Sequence, residues 1–423
     1  MPQRWSVTAG QSLNIIVVRL EGRATITALL DAMPRMKTDS DSAVQLLVFS
    51  LVAAAFTTVY ITQPVLPIIQ SEFGVNARIA SLSVSVVIFG IALANLPFGM
   101  IADQYSIKPI ILAGGIVIAT TSLVCATTHD IAVLIAARFM QGIFIPSLTT
   151  CIAAYLAQSL PEERLNVVMG SYVSATVAGG LGGRLLGGWI HPPLHWRYAF
   201  VSASMLLITA TIAAFFWLPG ENKKAQLESQ QASFIQLLEQ PALLRMLAVA
   251  FGAFFVFSST FNYLPFYLST PPFSARTEVI TLMYLAYLIG IAVGPLSGRL
   301  SNHVGSGATM VIGSLVFAAA IAATLIKSLD VIAVSLVAAC AGFFTIHAAA
   351  VGLLNRKLTS SRGRANSLYV LFYYLGGATG ITAYGYAYTS HGWLGATIVG
   401  IVVISLPLTI GFFEITLDRE RTR

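Results

Sequence analysis

Residues 179–188 read GGLGGRLLGG, six glycines, three leucines and one arginine in ten positions. A glycine run in a soluble chain marks a loop or a phosphate cradle. This one lies inside an apolar stretch from Val167 to Ile190, and about 20 mostly apolar residues suffice to cross a hydrocarbon core of roughly 30 Å. Gly179, Gly183 and Gly187 recur at spacing four. As a helix, the stretch therefore has one face of bare backbone against which another helix can close. The same reading leaves Arg184 inside the bilayer, where an arginine costs about 2.5–3.5 kcal/mol to insert.

Composition extends that reading to the whole chain. Of 423 residues, 56% are hydrophobic and 10% charged, against roughly 25% charged in soluble domains. The net charge of +7 does not point to nucleic acid, because the basic residues are scattered in short clusters between apolar runs, a membrane-orientation pattern. Cys125, Cys151 and Cys340 sit in apolar segments without CxxC or Cys/His spacing. They read as small buried hydrophobes, with no disulfide framework and no metal site. The first forty residues hold one apolar patch too short and too interrupted to span, and no cleavable signal. Met33 and Met36, just before KTDSDS, offer an alternative start.

Twelve runs of span length follow, near 43–69, 78–102, 109–128, 131–158, 165–190 and 196–218, then 244–268, 277–300, 307–327, 330–355, 364–389 and 393–414. The expected organisation is an N-terminal tail (1–42), a six-helix bundle (43–218), a polar linker (219–243), a second six-helix bundle (244–414) and a C-terminal tail (415–423). With both termini cytoplasmic, 18 basic residues fall on the cytoplasmic side and only Arg78, Arg197, Arg276 and Lys327 on the other. That asymmetry sets the expected orientation. Arg138 and Arg184 remain, both inside spans.

The two halves resemble each other at an offset near 200. Arg164 and Asn166 match Arg364 and Asn366; Gly142 matches Gly342; Gly99 and Asp103 match Gly298 and Asn302; Pro67 matches Pro265; and HPPLHWR (191–197) has an echo in HGW (391–393). The fold class expected is an all-α membrane protein of twelve transmembrane helices in two pseudo-symmetric six-helix bundles. Such parallel repeats build transporters with a site near the bilayer midplane.

Four stretches carry a more specific resemblance. RFMQGI from Arg138 matches a fourth-helix R-x-x-x-G motif, and GMIADQYSIKP keeps Gly99, Asp103 and Lys108 of the loop pattern GLADRxGRK while losing its arginine, its glycine and one basic residue. WR at 196–197 opens the sixth helix, and Gly179, Gly183, Arg184, Gly187 and Gly188 follow G-x-x-x-G-P-x-x-G-G with arginine in place of proline. Over residues 43–414 the chain resembles the major facilitator superfamily, in the branch of drug/proton antiporters and arabinose-efflux-like permeases. The resemblance implies that Gly179, Gly183, Gly187 and Gly188 form a surface sliding against the other half, with GGATG from Gly376 as a facing stripe. It also implies that Gly99, Asp103 and Lys108 form a conformational latch, and that Arg138 serves coupling or substrate contact. Each has a plainer alternative: tight packing for the glycines, loop capping for Asp103, and a carbonyl-satisfied structural arginine for Arg138.

Pro64, Pro67 and Pro265 free backbone carbonyls and bend their helices, which a cavity wall tolerates and lipid does not. Gln63, Tyr60, Asn262 and Tyr263 lie beside these prolines and either face substrate or only accompany a kink. Arg184 either reaches the central cavity or snorkels to the interface. His347 is the one histidine well inside a span; it either carries a proton or hydrogen-bonds to a helix. With Tyr373, the candidate substrate or coupling residues are Gln63, Arg138, Arg184, Asn262, His347 and Tyr373.

All seventeen acidic residues fall in tails, loops or span ends. A cavity with arginines and no carboxylate suits a neutral or anionic polar solute, although tyrosine faces can also hold a cation. The expectation is an inner-membrane secondary transporter, an exporter driven by the proton gradient at about 2.3 kcal/mol per charge per 100 mV. No cofactor, metal or nucleic acid is expected, and a monomer is. The alternatives are a cationic drug/proton antiporter, a uniporter or importer and, remotely, a membrane sensor. An enzyme is not expected, since no Ser/His/Asp constellation or metal cluster is visible; no P-loop is present, so ATP is not the driver.

Overall fold

The computed structural model describes residues 41–160, 162–218, 233–358 and 362–421. Residues 1–40 of the expected N-terminal tail, with its alternative starts, and residues 219–232 of the expected linker lie outside the described residues.

Ten helices among the described residues are long and apolar enough to cross a membrane. The last of these, Gly363–Glu420 over 58 residues, is two crossings joined at His391 and Gly392, whose backbone is non-helical. Glu162–Ile190, at 29 residues, is also long enough to span at 1.5 Å per residue. The result is the all-α, twelve-crossing architecture. Hydropathy located the crossings to within a few residues. The twelfth runs on as helix to Arg421, past the expected end near 414, and the seventh begins at Pro241.

Local chemistry sets the boundaries. Asn76 caps the second crossing (Ala77–Gln104) by accepting from the Ile79 amide at 2.9 Å. Asp130 does the same for the fourth, which begins at Ile131, through the Ala132 amide at 2.7 Å. Gly305 (φ 85°) and Gly392 (φ 60°) turn the chain between the eighth and ninth and the eleventh and twelfth crossings, a conformation that favours glycine. The first crossing is broken as its prolines require. Asp41–Tyr60 gives way to a 3₁₀ turn at Gln63–Val65, then to a short helix, Leu66–Glu72.

The internal repeat holds at the level of contacts. A Cβ on Gly179 would collide with the Ala53 carbonyl and one on Gly183 with the Thr57 carbonyl; likewise Gly376 and Gly380 with the Phe251 and Phe255 carbonyls. In each half, then, the fifth helix of six lays a glycine stripe on the backbone of the first. This corrects the expectation that the stripes at Gly179 and Gly376 face each other. Each is spent inside its own bundle, because bare backbone is what the proline-interrupted first helix needs beside it.

At the end away from the termini, Trp196 donates from Nε1 to Glu72 at 2.5 Å, while Arg197 pairs with Glu72 and donates to the Thr128 carbonyl at 2.5 Å. The WR pair therefore ties the sixth crossing to the first and third. Its repeat partner Trp393 donates to Thr324 Oγ1 at 2.8 Å and stacks on Tyr267 with ring centroids 4.6 Å apart.

At the end that carries the termini, fully buried Glu414 accepts from Arg245 Nε at 2.6 Å and also from Lys357. This clamp joins the seventh, tenth and twelfth crossings. Glu414→Ala strands two half-buried cations and is expected to cost about 3 kcal/mol. The check is a lower thermal midpoint in detergent, with Glu414→Gln recovering only part of it.

Candidate functional site

A cavity of about 370 Å³ lies between the two halves, roughly midway along the helices. Its walls come from the first and fifth crossings on one side (Phe56, Tyr60, Tyr172, Arg184) and from the seventh, eighth, tenth and eleventh on the other (Phe254, Phe257, Tyr287, Phe343, His347, Tyr373). A size near the lower end of small-molecule sites and a position on the pseudo-symmetry seam make it the candidate site.

Arg184 enters this cavity rather than snorkelling, and is 3% exposed. Its Nε donates to Gln63 Oε1 at 2.7 Å, Nη1 to its own helix at Gly180 O at 2.7 Å, and Nη2 to Tyr287 Oη across the seam at 3.0 Å. The guanidinium also lies over the Tyr60 ring at 3.8 Å and the Tyr287 ring at 4.3 Å, so cation–π attraction replaces part of the lost hydration. Among the described residues no carboxylate pairs with it, and none lines the cavity.

Gln63 stands behind Arg184, with Nε2 buried and unpartnered. Asn262, one helical turn beyond the cavity residue Ser258, is fully buried and leaves both its amide oxygen and nitrogen unpartnered. Neither is on the cavity lining in this conformation. His347 and Tyr373 are on it; His347 Nδ1 lies 3.0 Å from Tyr369 Oη, and the imidazole is parallel to the Phe343 ring at 6.0 Å.

Arg138 sits elsewhere. It is fully buried inside the N-terminal half and donates from Nε to Ser83 O at 2.7 Å, from Nη1 to Thr58 O and Gln141 Oε1 at 2.6 Å, and from Nη2 to Val59 O at 2.6 Å. Thr58 and Val59 lie in the last turn of Asp41–Tyr60, just before the break in the first crossing, so the guanidinium braces that end against the second and fourth crossings. That geometry is the carbonyl-satisfied arrangement, off the cavity lining.

The gating candidates also separate. Gly179, Gly183 and Gly187 pack within the N-terminal half, but a Cβ on Gly188 would overlap Thr281 of the eighth crossing, so Gly188 lies on the seam. Gly99 has only Thr150 Cγ2 near its missing Cβ, at 3.9 Å. Lys108 lies at the start of the third crossing; Asp103 is in the last turn of the second, and its side chain is outside the described residues.

Beyond Gly188, the halves meet at the end away from the termini. The Arg78 guanidinium lies 4.4 Å over the Tyr386 ring, and a Cβ on Gly385 would approach Arg78 Cγ to 2.9 Å. These contacts join the two halves at that end.

The sequence reading missed the aromatic wall. Phe254, Phe257 and Phe261, then Phe343 and His347, then Tyr369 and Tyr373 recur at spacings of three and four, each set one helix face. The signal was available, but in an apolar span it does not separate a cavity face from a packed core face.

The model of the Major Facilitator Superfamily matches residues 48–381. The chain is 27% identical over 368 residues to the uncharacterized MFS-type transporter YybF of Bacillus subtilis, covering 85% of this chain and 90% of that one. It is 27% identical over 371 residues to the inner membrane transport protein YnfM of Escherichia coli K12, covering 86% and 88%. A bicyclomycin resistance protein homolog of Haemophilus influenzae is 29% identical over 177 residues, covering only 40% and 44%. Among solved structures, a bacterial homolog of the human lysosomal transporter Spinster, in an inward-facing and unoccupied conformation, superposes with a TM-score of 0.75 at 14% identity, covering 90% of this chain and 97% of that one. A twelve-crossing fold of two repeated halves around a central cavity, matched over most of its length, places this multi-pass membrane transport protein in the Major Facilitator Superfamily.

Proposed function

We propose that the protein is a secondary transporter that exports a neutral or anionic organic solute across the bacterial inner membrane by alternating access, driven by the proton gradient. The observation that carries this reading is the cavity between the halves, which holds a buried arginine and no carboxylate among the described residues that line it. A cation would meet an unneutralised guanidinium there. A neutral or anionic group would not.

The excess of Lys and Arg in the segments on the termini side supports cytoplasmic termini. The Arg78–Tyr386 contact is then on the periplasmic side. His347 is the lining side chain whose ordinary titration range spans physiological pH, which makes it the candidate proton carrier.

The test uses purified protein in liposomes with an imposed pH gradient, screening sugars, organic acids and cationic dyes for solute-dependent proton flux. Flux with neutral or anionic solutes is expected. His347→Ala is expected to uncouple it, leaving solute exchange between the two faces but abolishing uphill movement. Flux with cationic dyes alone would establish the cationic-antiporter alternative instead.

A further inference from the structure

The two cavity walls differ in chemistry. On the C-terminal half the rings are already stacked in pairs: Phe254 on Tyr373 with centroids 3.7 Å apart and 13° between planes, and Phe257 on Phe343 at 3.8 Å and 12°. The His347 ring is parallel to Phe343 within 13° at 6.0 Å, and Tyr373 is tilted by 46° to Phe343. These residues come from three crossings and together give the cavity an aromatic wall.

The N-terminal wall supplies donors. Three of the five guanidinium N–H groups of Arg184 are used by Gln63, Gly180 and Tyr287, and the Tyr60 hydroxyl also takes a hydrogen bond from the guanidinium, so its positive charge has only neutral partners among the described residues. Because Gln63 Oε1 accepts from Arg184, the amide orientation is fixed, and its Nε2 is a buried donor with no partner. Donors are in excess, the charge is positive, and the described residues lining the cavity bring no acid.

The classes of solute can be sorted against these walls. A small hydrophilic anion satisfies Arg184 but must shed its hydration against aromatic faces. A sugar satisfies donors but leaves the charge uncompensated in a buried site. An aromatic cation matches the rings and is repelled by the guanidinium. One class matches both walls. We propose that the substrate is an organic monoanion, a carboxylate or sulfonate on a flat aromatic body, with its oxygens against the Arg184 guanidinium and its ring lying along the Phe257, Phe343 and Tyr373 side chains. This rests on the transporter reading above and names the substrate class of the same cavity. The bidentate preference of guanidinium for planar or tripodal oxyanions assigns the anionic end to Arg184 and not to the neutral polar groups around it.

The experiment uses the full chain in detergent and in liposomes with a matched set of probes. These are naphthalene-2-sulfonate, cyclohexanesulfonate, methanesulfonate, 2-naphthylmethanol, 2-naphthylmethylammonium and a neutral hexose. Naphthalene-2-sulfonate is expected to raise the thermal midpoint and to be transported, with at least tenfold weaker binding for methanesulfonate, for the ammonium probe and for the hexose. Arg184→Gln should lower affinity for naphthalene-2-sulfonate at least tenfold while leaving 2-naphthylmethanol within about twofold, and Arg184→Lys should fall between, since it keeps the charge but not the fork. Phe343→Leu, on the opposite wall, should weaken naphthalene-2-sulfonate more than cyclohexanesulfonate of the same charge, and this arm stands if the Arg184 variants fail to fold. Equal binding of the two sulfonates, or preference for the hexose or the ammonium probe, would overturn the proposal and leave the transporter reading intact. Absence of flux with every solute, in the broad screen as well, would remove both.

Discussion

Gly188→Val is expected to open the end of the molecule away from the termini, whereas Gly142→Val and Gly183→Val are expected to abolish folding. All three glycines lie at close helix contacts, but what lies opposite differs. At Gly183 the missing Cβ would meet the Thr57 carbonyl, and at Gly142 it would come within 2.8 Å of Val87 Cα. Both contacts are backbone within one half and neither can give. At Gly188 the obstruction comes from the other half, Thr281 of the eighth crossing. A wedge there penalises only the state in which the halves touch. Overpacking typically costs about 1–3 kcal/mol, and borne by one state alone it shifts a two-state equilibrium about five- to 150-fold.

A spin-label pair on exposed Asn76 and Ser390, one on each half, reads the result. The distance distribution should lengthen in Gly188→Val, with monodisperse elution preserved. An unchanged distribution in well-folded Gly188→Val would show that this seam does not move.

The second large effect is at Arg138. Arg138→Met removes the donors to Thr58, Val59 and Ser83 carbonyls, and a buried unpaired acceptor costs about 1–3 kcal/mol. Removing the charge recovers part of the insertion cost, so the expected net loss is about 3 kcal/mol. It should appear as a thermal midpoint lower by several degrees and a reduced folded yield. Arg138→Lys keeps one charge but cannot reach three carbonyls on two other crossings and is expected to recover less than half of the loss. Because Arg138 is off the cavity lining, the KM of the folded fraction should stay within about twofold of wild type. A tenfold rise in KM at unchanged stability would return Arg138 to the substrate path.

The pair of intramembrane arginines shows where legibility ends. Both were visible in the sequence as charges inside apolar runs, and both demanded partners. Nothing local distinguishes RFMQGI from GGRLLGG in this respect. Arg138 is held by carbonyls some 80 residues earlier in the chain, and Arg184 by a glutamine 121 residues before it and a tyrosine 103 residues after it. The same limit applies to the glycine stripe: spacing four announced a close approach but not which helix approaches.

What the sequence by itself determined was the set of properties that depend on a single segment or on a count. These are the twelve crossings, the break beside Pro64 and Pro67, the doubled architecture, the charge asymmetry across the membrane and the scarcity of acid in the interior. Hydropathy and proline act on the helix that contains them, so they can be read in one dimension. Only the tertiary structure decided that Arg184 lines the cavity while Arg138 braces a half, that Gly188 lies on the seam while Gly183 does not, and that rings from three distant segments form one wall. Those outcomes depend on how each helix is rotated against its neighbours, and in a uniformly apolar span hydrophobic periodicity leaves that rotation unspecified until glycine contacts, buried polar groups and ring stacking fix it.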